Sequence, residues 1–411
     1  MIQEIGWSRG QDPGAELPPI EGVLLAVAES QISRQDRPDL LVASLAPGTT
    51  IAGSVTRSQT PSAAVEWCRR NLPGGEARVI VVNSGNANAF TGRVGEEAVS
   101  AIGSAAAELF DCSESTVYQA STGVIGSPLP HERLIAALPQ ARQTLAPRGW
   151  DQAASAIMTN DRFPKLATRK ARIGDQTVTL NGIAKGSGVV APDMATMLAF
   201  LFTDAAIPAP VLRQLLGRSV EQSFNCITVD SETSTSDTAL FTATGSAGND
   251  PVFSAGDRRL NEFREALDDL TVDLAKQVVC DGEGAKKFIT INVSGAANPR
   301  AARKIGLSVA NSPAVKTGAT EALLDWSRLL VAVGRSGERA DRDRLSIAVG
   351  GAIIAEQGQL SGSGKLEALD VLVRSQTLEI NIDVGVGNGV GTVWTCDVNR
   401  RARDRLQGGS F

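Results

Sequence analysis

The chain has 411 residues, 42% hydrophobic and 21% charged, an ordinary balance for a soluble globular protein of two or three domains with a substantial buried core. Its net charge of −5 argues against nucleic acid as a main partner. A single histidine, His131, argues against Ser-His-Asp or Cys-His chemistry, and five scattered cysteines without a CxxC pair suggest neither a zinc site nor a disulfide framework.

Residues 22–30, 39–46 and 50–56 read as three short strands punctuated by Pro38, Pro47 and Gly48. A helix follows over 62–70, with Pro61 just before it. Residues 79–82 form a buried strand that runs into the polar turn NSGNAN. That turn lacks GxGxxG spacing and a Walker lysine, which disfavours a nucleotide site; a structural turn and a direct substrate contact both remain open. Residues 96–110 are an amphipathic helix. The strand TVYQAS then ends at Thr122-Gly123, on residue types alone an ordinary turn, though a strand end opening into glycine can present a hydroxyl and backbone N–H groups as an oxyanion hole requires. His131 falls in the Pro-rich loop SPLPHER. A helix over 149–158, a hairpin over 166–183 turning at Gly174-Asp175, and the consecutive apolar run MLAFLF, fitting a strand covered on both faces, come next. Helices are expected over 208–219 and 260–280, the latter with an apolar face of Leu260, Phe263, Leu267, Leu270, Leu274 and Val278. KKFITINVSG is a strand. From residue 301 the pattern is α+β: helices over 301–312 and near 321–333, then strands over 345–351, 369–375, 377–384 and 392–397. No apolar run reaches the ~18 residues of a membrane span, and no signal peptide is recognised before Gly22, so a cytoplasmic protein with reduced thiols and no membrane partner is expected.

The chain is organised around KGSGVVAPDMATML, residues 185–198. On residue types alone it is a glycine-rich turn before a buried strand. A threonine that becomes an N-terminus, however, needs no histidine: its own α-amine takes the hydroxyl proton at neutral pH. Self-cleavage between Ala195 and Thr196, begun by Thr196 Oγ attacking the Ala195 carbonyl, supplies such a nucleophile.

This stretch resembles the processing site of the ornithine acetyltransferase (glutamate N-acetyltransferase) family of arginine biosynthesis. NSGNANAFTG (83–92), STGVIG (121–126), SFNCITVDSETSTSDT (223–238), DGEGAKKF (281–288), NSPAVKT (311–317) and VWTCD (393–397) stand in that family's order. The resemblance implies an α/β (α+β) fold of layered sheets flanked by helices, with N-terminal-nucleophile architecture and a smaller C-terminal α+β part over 301–411. It implies chains of residues 1–195 and 196–411, about 20 and about 22 kDa by share of length, that stay together as a heterotetramer or larger. It makes Thr196 the nucleophile, Thr122 and Gly123 the oxyanion hole, and Thr159, Lys185, Thr196 and Glu283 substrate contacts, with no metal and no cofactor. The partners it implies are amino acids and N-acetyl amino acids: an acetyl group passes from N-acetylornithine to glutamate through an acetyl-Thr196 ester.

Asn160 stands where the family has threonine, Ser236 where it has asparagine, and DWSR (325–328) where it has NWGR. The tail WTCDVNRRARDRLQGGSF has no asparagine at the spacing the family has it; Ser410 is the remaining hydroxyl for the terminal substrate contact. A paralogue with another amino-acid substrate, an N-acyl amino acid amidase and an unprocessed binding protein are the alternatives.

Overall fold

The three N-terminal strands form as β1 (Val23–Ala28), β2 (Leu40–Leu45) and β3 (Thr50–Val55) in the computed structural model, which describes residues 16–33, 37–188, 197–232, 234–321, 324–361 and 374–397. Helix α1 (Ala63–Asn71) starts where Pro61-Ser62 predicts, the Ser62 hydroxyl accepting the Val65 N–H. Strand β4 (Val79–Asn86) runs four residues beyond VIVV. After α2 (Gly92–Phe110) comes β5 (Val117–Val124), and NSGN extends β4 because it pairs with the end of β5, Asn83 opposite Ser121 and Ser84 opposite Thr122.

His131 is not in a loop: it opens helix α3 (His131–Gln143), 3.6 Å from Glu132. The surrounding prolines obscured this helix. Pro130 sits at its start, where a missing N–H costs nothing, and Pro139 lies inside it, where an unsupported helix would be broken. Burial of Leu134, Ala137, Leu138 and Ala141 overrides that penalty. Helix α4 (Trp150–Ala156) leads to the expected hairpin, β6 (Lys165–Ile173) and β7 (Gln176–Lys185), turning at Gly174-Asp175.

The apolar run after Thr196 is β8 (Leu198–Thr203), buried at every residue. Helix α5 (Ala209–Gln222), the short β9 (Ile227–Thr228), β10 (Thr238–Ala243) and the 20-residue α6 (Asn261–Cys280) follow. Strand order is β1-β2-β4-β5 in one sheet and β3-β10-β8-β7-β6 in a second. Period-two alternation along β8 decides how these sheets stack. Leu198, Phe200 and Phe202 share a core with Leu41, Ile80, Val82 and Tyr118 of the first sheet, so the two sheets pack face to face. Ala199 and Leu201 point the other way, into a core with Leu212, Leu215 and Leu216 of α5 and Phe263, Leu267, Leu270 and Leu274 of α6. On the far side of the first sheet, Val42, Val79 and Val81 pack on Ile102 of α2 and Leu134 and Leu138 of α3. The layers therefore run helices, sheet, sheet, helices. Each fully buried Leu or Phe contributes roughly 1.5–3 kcal/mol to this stack. Gly182 lets α6 press against β7: a Cβ there would lie 2.7 Å from Leu274 Cδ1 and 2.9 Å from Leu201 Cδ2.

The third sheet is β14-β13-β12-β15-β11-β16-β9. Its remaining strands are β11 (Phe288–Ala296), β12 (Ser346–Val349), β13 (Ala352–Glu356), β14 (Gln359–Leu360), β15 (Thr377–Asp383) and β16 (Gly389–Cys396). Helices α7 (Pro299–Ala310), α8 (Pro313–Glu321) and α9 (Trp326–Gly334) pack with it around Ile291, Ile305, Leu329 and Ile380. The helix expected near 321–333 is α9, which starts at Trp326; α8, before it, was not expected. Asp325 is the N-cap of α9, its carboxylate accepting the Ser327 N–H. Aspartate in DWSR does what asparagine would do there. The strand expected over 369–375 lies, except for its last two residues, outside the described residues.

The fold is mixed α/β, as expected, with sheets flanked by helices. Among the described residues no helix is long and apolar enough to cross a membrane. All five cysteines are free thiols.

Candidate active site

Thr122 and Gly123 lie at the exposed end of β5, over the NSGN extension of β4. That extension is held by its own side chains. Ser121 Oγ donates to Asn83 Oδ1 at 2.7 Å, Asn83 Nδ2 to the Asn86 carbonyl at 2.9 Å, and Asn86 Oδ1 accepts the Asn88 N–H at 2.7 Å. The polar block is a scaffold for the strand end. Gly123 has φ +135°, and a Cβ there would lie 2.3 Å from Gly85 C and 2.5 Å from Asn86 N. Only glycine fits, and its small size leaves Thr122 buried beside an open turn.

Lys185, at the end of β7, brings two more predicted residues to this point. Its ammonium donates to Thr159 Oγ1 at 2.9 Å and Thr122 Oγ1 at 3.3 Å. Each hydroxyl accepts, so each keeps its own hydrogen for another partner. Lys185 is 2% exposed, so it is not a solvated surface charge. Burial pushes its ammonium below the ordinary lysine value, while Asp161, 3.8 Å away, pulls it back up.

Asp161 is one of four site residues that the sequence did not single out. Its Oδ1 accepts Lys165 Nζ and the Gly186 N–H, both at 2.7 Å; its Oδ2 accepts the Thr159 N–H at 3.0 Å. Burial raises its pKa, yet Lys185, Lys165 and these hydrogen bonds outweigh that and hold the carboxyl well below the usual range. Lys165, fully buried, also donates to Asp281 Oδ2 at 2.6 Å. Asp281 in turn accepts Arg162 Nε at 2.8 Å and the Arg162 N–H. For Lys165 a signal existed: it shares the parity of Ala167, Ala171 and Ile173 along β6, the face that α6 covers.

Glu283 follows Asp281 by two residues, just beyond the end of α6. Its N–H donates to the Ser187 carbonyl at 2.9 Å, and its side chain is exposed. Its Oε2 lies 3.6 Å from where a Cβ on Gly188 would be, with Asp230 Oδ2 3.9 Å from the same point. Ala195, Thr196 and Ser410 lie outside the described residues. The first described residue after Thr196 is Met197. Its N–H donates to Asp237 Oδ1 at 3.1 Å, and its carbonyl accepts the Thr238 N–H at 3.1 Å. Burial pushes the Asp237 carboxyl well above the usual range, against the pull of the Met197 N–H and Lys185; its Oδ2 has no hydrogen-bond partner among the described residues. The end of the block SFNCITVDSETSTSDT, at Asp237 and Thr238, therefore holds the start of β8.

The described geometry thus joins Thr122, Thr159 and Lys185 by direct hydrogen bonds and ties Glu283 to the same loop through its backbone. A hydroxyl-bearing strand end, a buried cation and an exposed carboxylate suit a substrate with a carbonyl oxygen and a cationic group.

Residues 24–401 match the ArgJ family. The arginine biosynthesis bifunctional protein ArgJ of Rhizobium meliloti (strain 1021) is 49% identical over 389 residues, covering 94% of this chain and 94% of its own. Its counterpart in Gluconobacter oxydans (strain 621H) is 49% identical over 386 residues, covering 94% and 91%. A solved chain, arginine biosynthesis bifunctional protein argJ from Bacillus halodurans, is 34% identical over 50% of this chain and 96% of its own, with a TM-score of 0.47. The family match takes in every described site residue from Thr122 to Glu283, and this chain belongs to the ArgJ family, as an acyltransferase of arginine biosynthesis.

Proposed function

We propose that the chain cuts itself between Ala195 and Thr196 and then moves an acetyl group from N-acetylornithine to glutamate through an acetyl-Thr196 ester. The observation that carries this reading is the register of β7 and β8. Lys185 pairs directly with Leu198, so the chain emerging from Thr196 enters the sheet opposite the lysine bound to Thr122 and Thr159. Thr196 Oγ attacks the Ala195 carbonyl carbon, the peptide C–N bond breaks, and water hydrolyses the resulting ester. The freed α-amine then takes the hydroxyl proton as Oγ attacks the acetyl carbonyl of N-acetylornithine. Negative charge developing on that oxygen faces the Thr122 hydroxyl and the Gly123 N–H. Ornithine leaves with a proton on its nitrogen, and the glutamate amine attacks the ester in turn. Glu283 faces the cationic side-chain amine of ornithine.

The two products of the cut, residues 1–195 and 196–411, share one sheet. β3, β6 and β7 come from the first and β8 and β10 from the second, in the order β3-β10-β8-β7-β6. Separating them breaks two strand ladders and the core between the sheets, which supports cleaved chains that stay together; assembly of such pairs as α2β2 or larger, in the cytoplasm, is the rest of the proposal.

Denatured intact mass of the purified chain beside Thr196→Ala tests the first step. Two fragments with Thr196 as a new N-terminus, absent in the variant, support it; one uncut species after long incubation removes Thr196 as nucleophile. Acetyl transfer that requires glutamate separates a transferase from an amidase.

A further inference from the structure

Two turns carry polar residues of the site, and a buried ion-pair cluster centred on Lys165, with Arg162 beside it, joins them. The turn after α4 carries Thr159 and Asp161; the turn after α6 carries Asp281 and Glu283. Lys165 Nζ sits between, 2.7 Å from Asp161 Oδ1 and 2.6 Å from Asp281 Oδ2. All three side chains are fully buried, so Lys165 touches no ligand. Its Nζ also lies over the Phe163 ring, 4.8 Å from the ring centroid. Asp161 is also bonded within its own turn to the N–H of Thr159, and to that of Gly186, next to Lys185; Asp281 reaches across to the Arg162 N–H and Nε in the turn that carries Thr159. A shift of either turn therefore strains a charge-assisted bond that has no water to replace it.

We infer that Lys165 is a positioning residue for substrate binding: it holds the turn bearing Glu283 at a fixed separation from Thr159 and Lys185, so that one ligand meets both sides of the pocket at once. This rests on Thr159, Lys185 and Glu283 being substrate contacts. A flexible amine bound at one end only loses the advantage of prior alignment, and a displacement of about 1 Å is enough to cost on the order of 10²-fold. Buried ion pairs are weak contributors to net stability, so a positional role accounts for placing three charges here.

The test compares wild type with Asp281→Asn, which keeps the Lys165–Asp161 pair but weakens both links from the Glu283 turn, to Lys165 and to Arg162, and with Lys165→Met, which removes the lysine link alone. Initial rates of acetyl transfer from N-acetylornithine to glutamate are measured against donor concentration, with cleavage state checked by intact mass. The expected result is a KM for the donor raised about 10-fold or more, with kcat within a few-fold. Glu283→Gln and the Asp281→Asn/Glu283→Gln double variant provide the readout that a merely structural role does not move. If Lys165 and Asp281 act through Glu283, the double variant is scarcely worse than Glu283→Gln alone. Additive losses, or an unchanged donor KM in folded Asp281→Asn, overturn the inference even where Lys165→Met fails to fold. A wild-type chain that transfers no acetyl group overturns the site reading itself, and the inference with it.

Discussion

Replacing Asp161 by asparagine removes the negative charge shared by two buried lysines while keeping the side chain's shape. The carboxylate accepts Lys165 Nζ and the Gly186 N–H at 2.7 Å and the Thr159 N–H at 3.0 Å, with Lys185 Nζ 3.8 Å away. In the variant Lys165 retains Asp281, but Lys185 loses its nearest carboxylate, and an amide NH₂ must face one of the donors that met a carboxylate oxygen. Removing one member of a buried, hydrogen-bonded pair costs about 3–5 kcal/mol, a large part of a typical stability of about 5–15 kcal/mol. The pH dependence identifies the cause. The native carboxyl titrates well below the usual range, whereas in the unfolded chain it titrates at about 3.9. Its contribution is therefore fully present above the unfolded value and is lost as pH falls toward the native one. Asparagine does not titrate, so the gap between wild type and variant is constant from about pH 5 to pH 7 and narrows below about pH 4. Urea unfolding of both proteins, in the same cleavage state, at pH 7 and pH 3 measures it. A gap under about 1 kcal/mol at pH 7, or an equal gap at both pH values, refutes the assignment of Asp161 as the shared counter-ion.

Gly123→Ala places a methyl group within 2.6 Å of the Gly85 carbonyl and spreads β4 from β5 at the strand end. Acetyl transfer is expected to fall about 10²-fold or more, as on loss of an oxyanion donor; an initial rate equal to wild type removes Gly123 from that role. Asp237→Asn carries the opposite pH signature to Asp161. The native carboxyl keeps its proton to higher pH than the unfolded one, so wild-type stability from this group is present below about 3.9 and is lost as pH rises through the raised native value. Unfolding free energies should therefore shift in the variant's favour between pH 4 and pH 8, and a difference that does not change over that range refutes the raised pKa.

Much of the layered architecture was legible from period and punctuation. Residues 62–70, 96–110 and 260–280 announce helices through a cap or apolar spacing, and the unbroken apolar run 197–202 announces a strand covered twice. What escaped had conflicting local signals. Helix α3 carries Pro139 in its middle. Helix α8 is nine residues long with Gly318 inside it, and its propensity is weak without the third sheet to pack on. Strand β10 follows a hydroxyl-rich segment, and TALFTA becomes a strand because β3 and β8 flank it, a non-local cause.

The site divides along the same line. Thr122, Gly123, Thr159, Lys185 and Glu283 were singled out because the resemblance carries them, yet nothing in a motif says that Lys185 reaches a threonine 63 residues earlier or that Lys165 reaches an aspartate 116 residues later. Charged side chains are read by default as solvated, and Asp161, Lys165 and Asp281 are each unremarkable in that reading. The fold makes them interdependent. α6 presses onto β6 and β7 through Gly182, which carries its C-terminal turn to the end of the hairpin. There a lysine on the covered parity of β6 has no route to solvent and must be paired. Two carboxylates on two separate turns meet that need, and both also hold backbone N–H groups of the turn that carries Thr159. The same burial that hides the cluster from sequence reasoning gives it leverage on the pocket: exposed to water, the three charges would be interchangeable surface pairs with little hold on either turn.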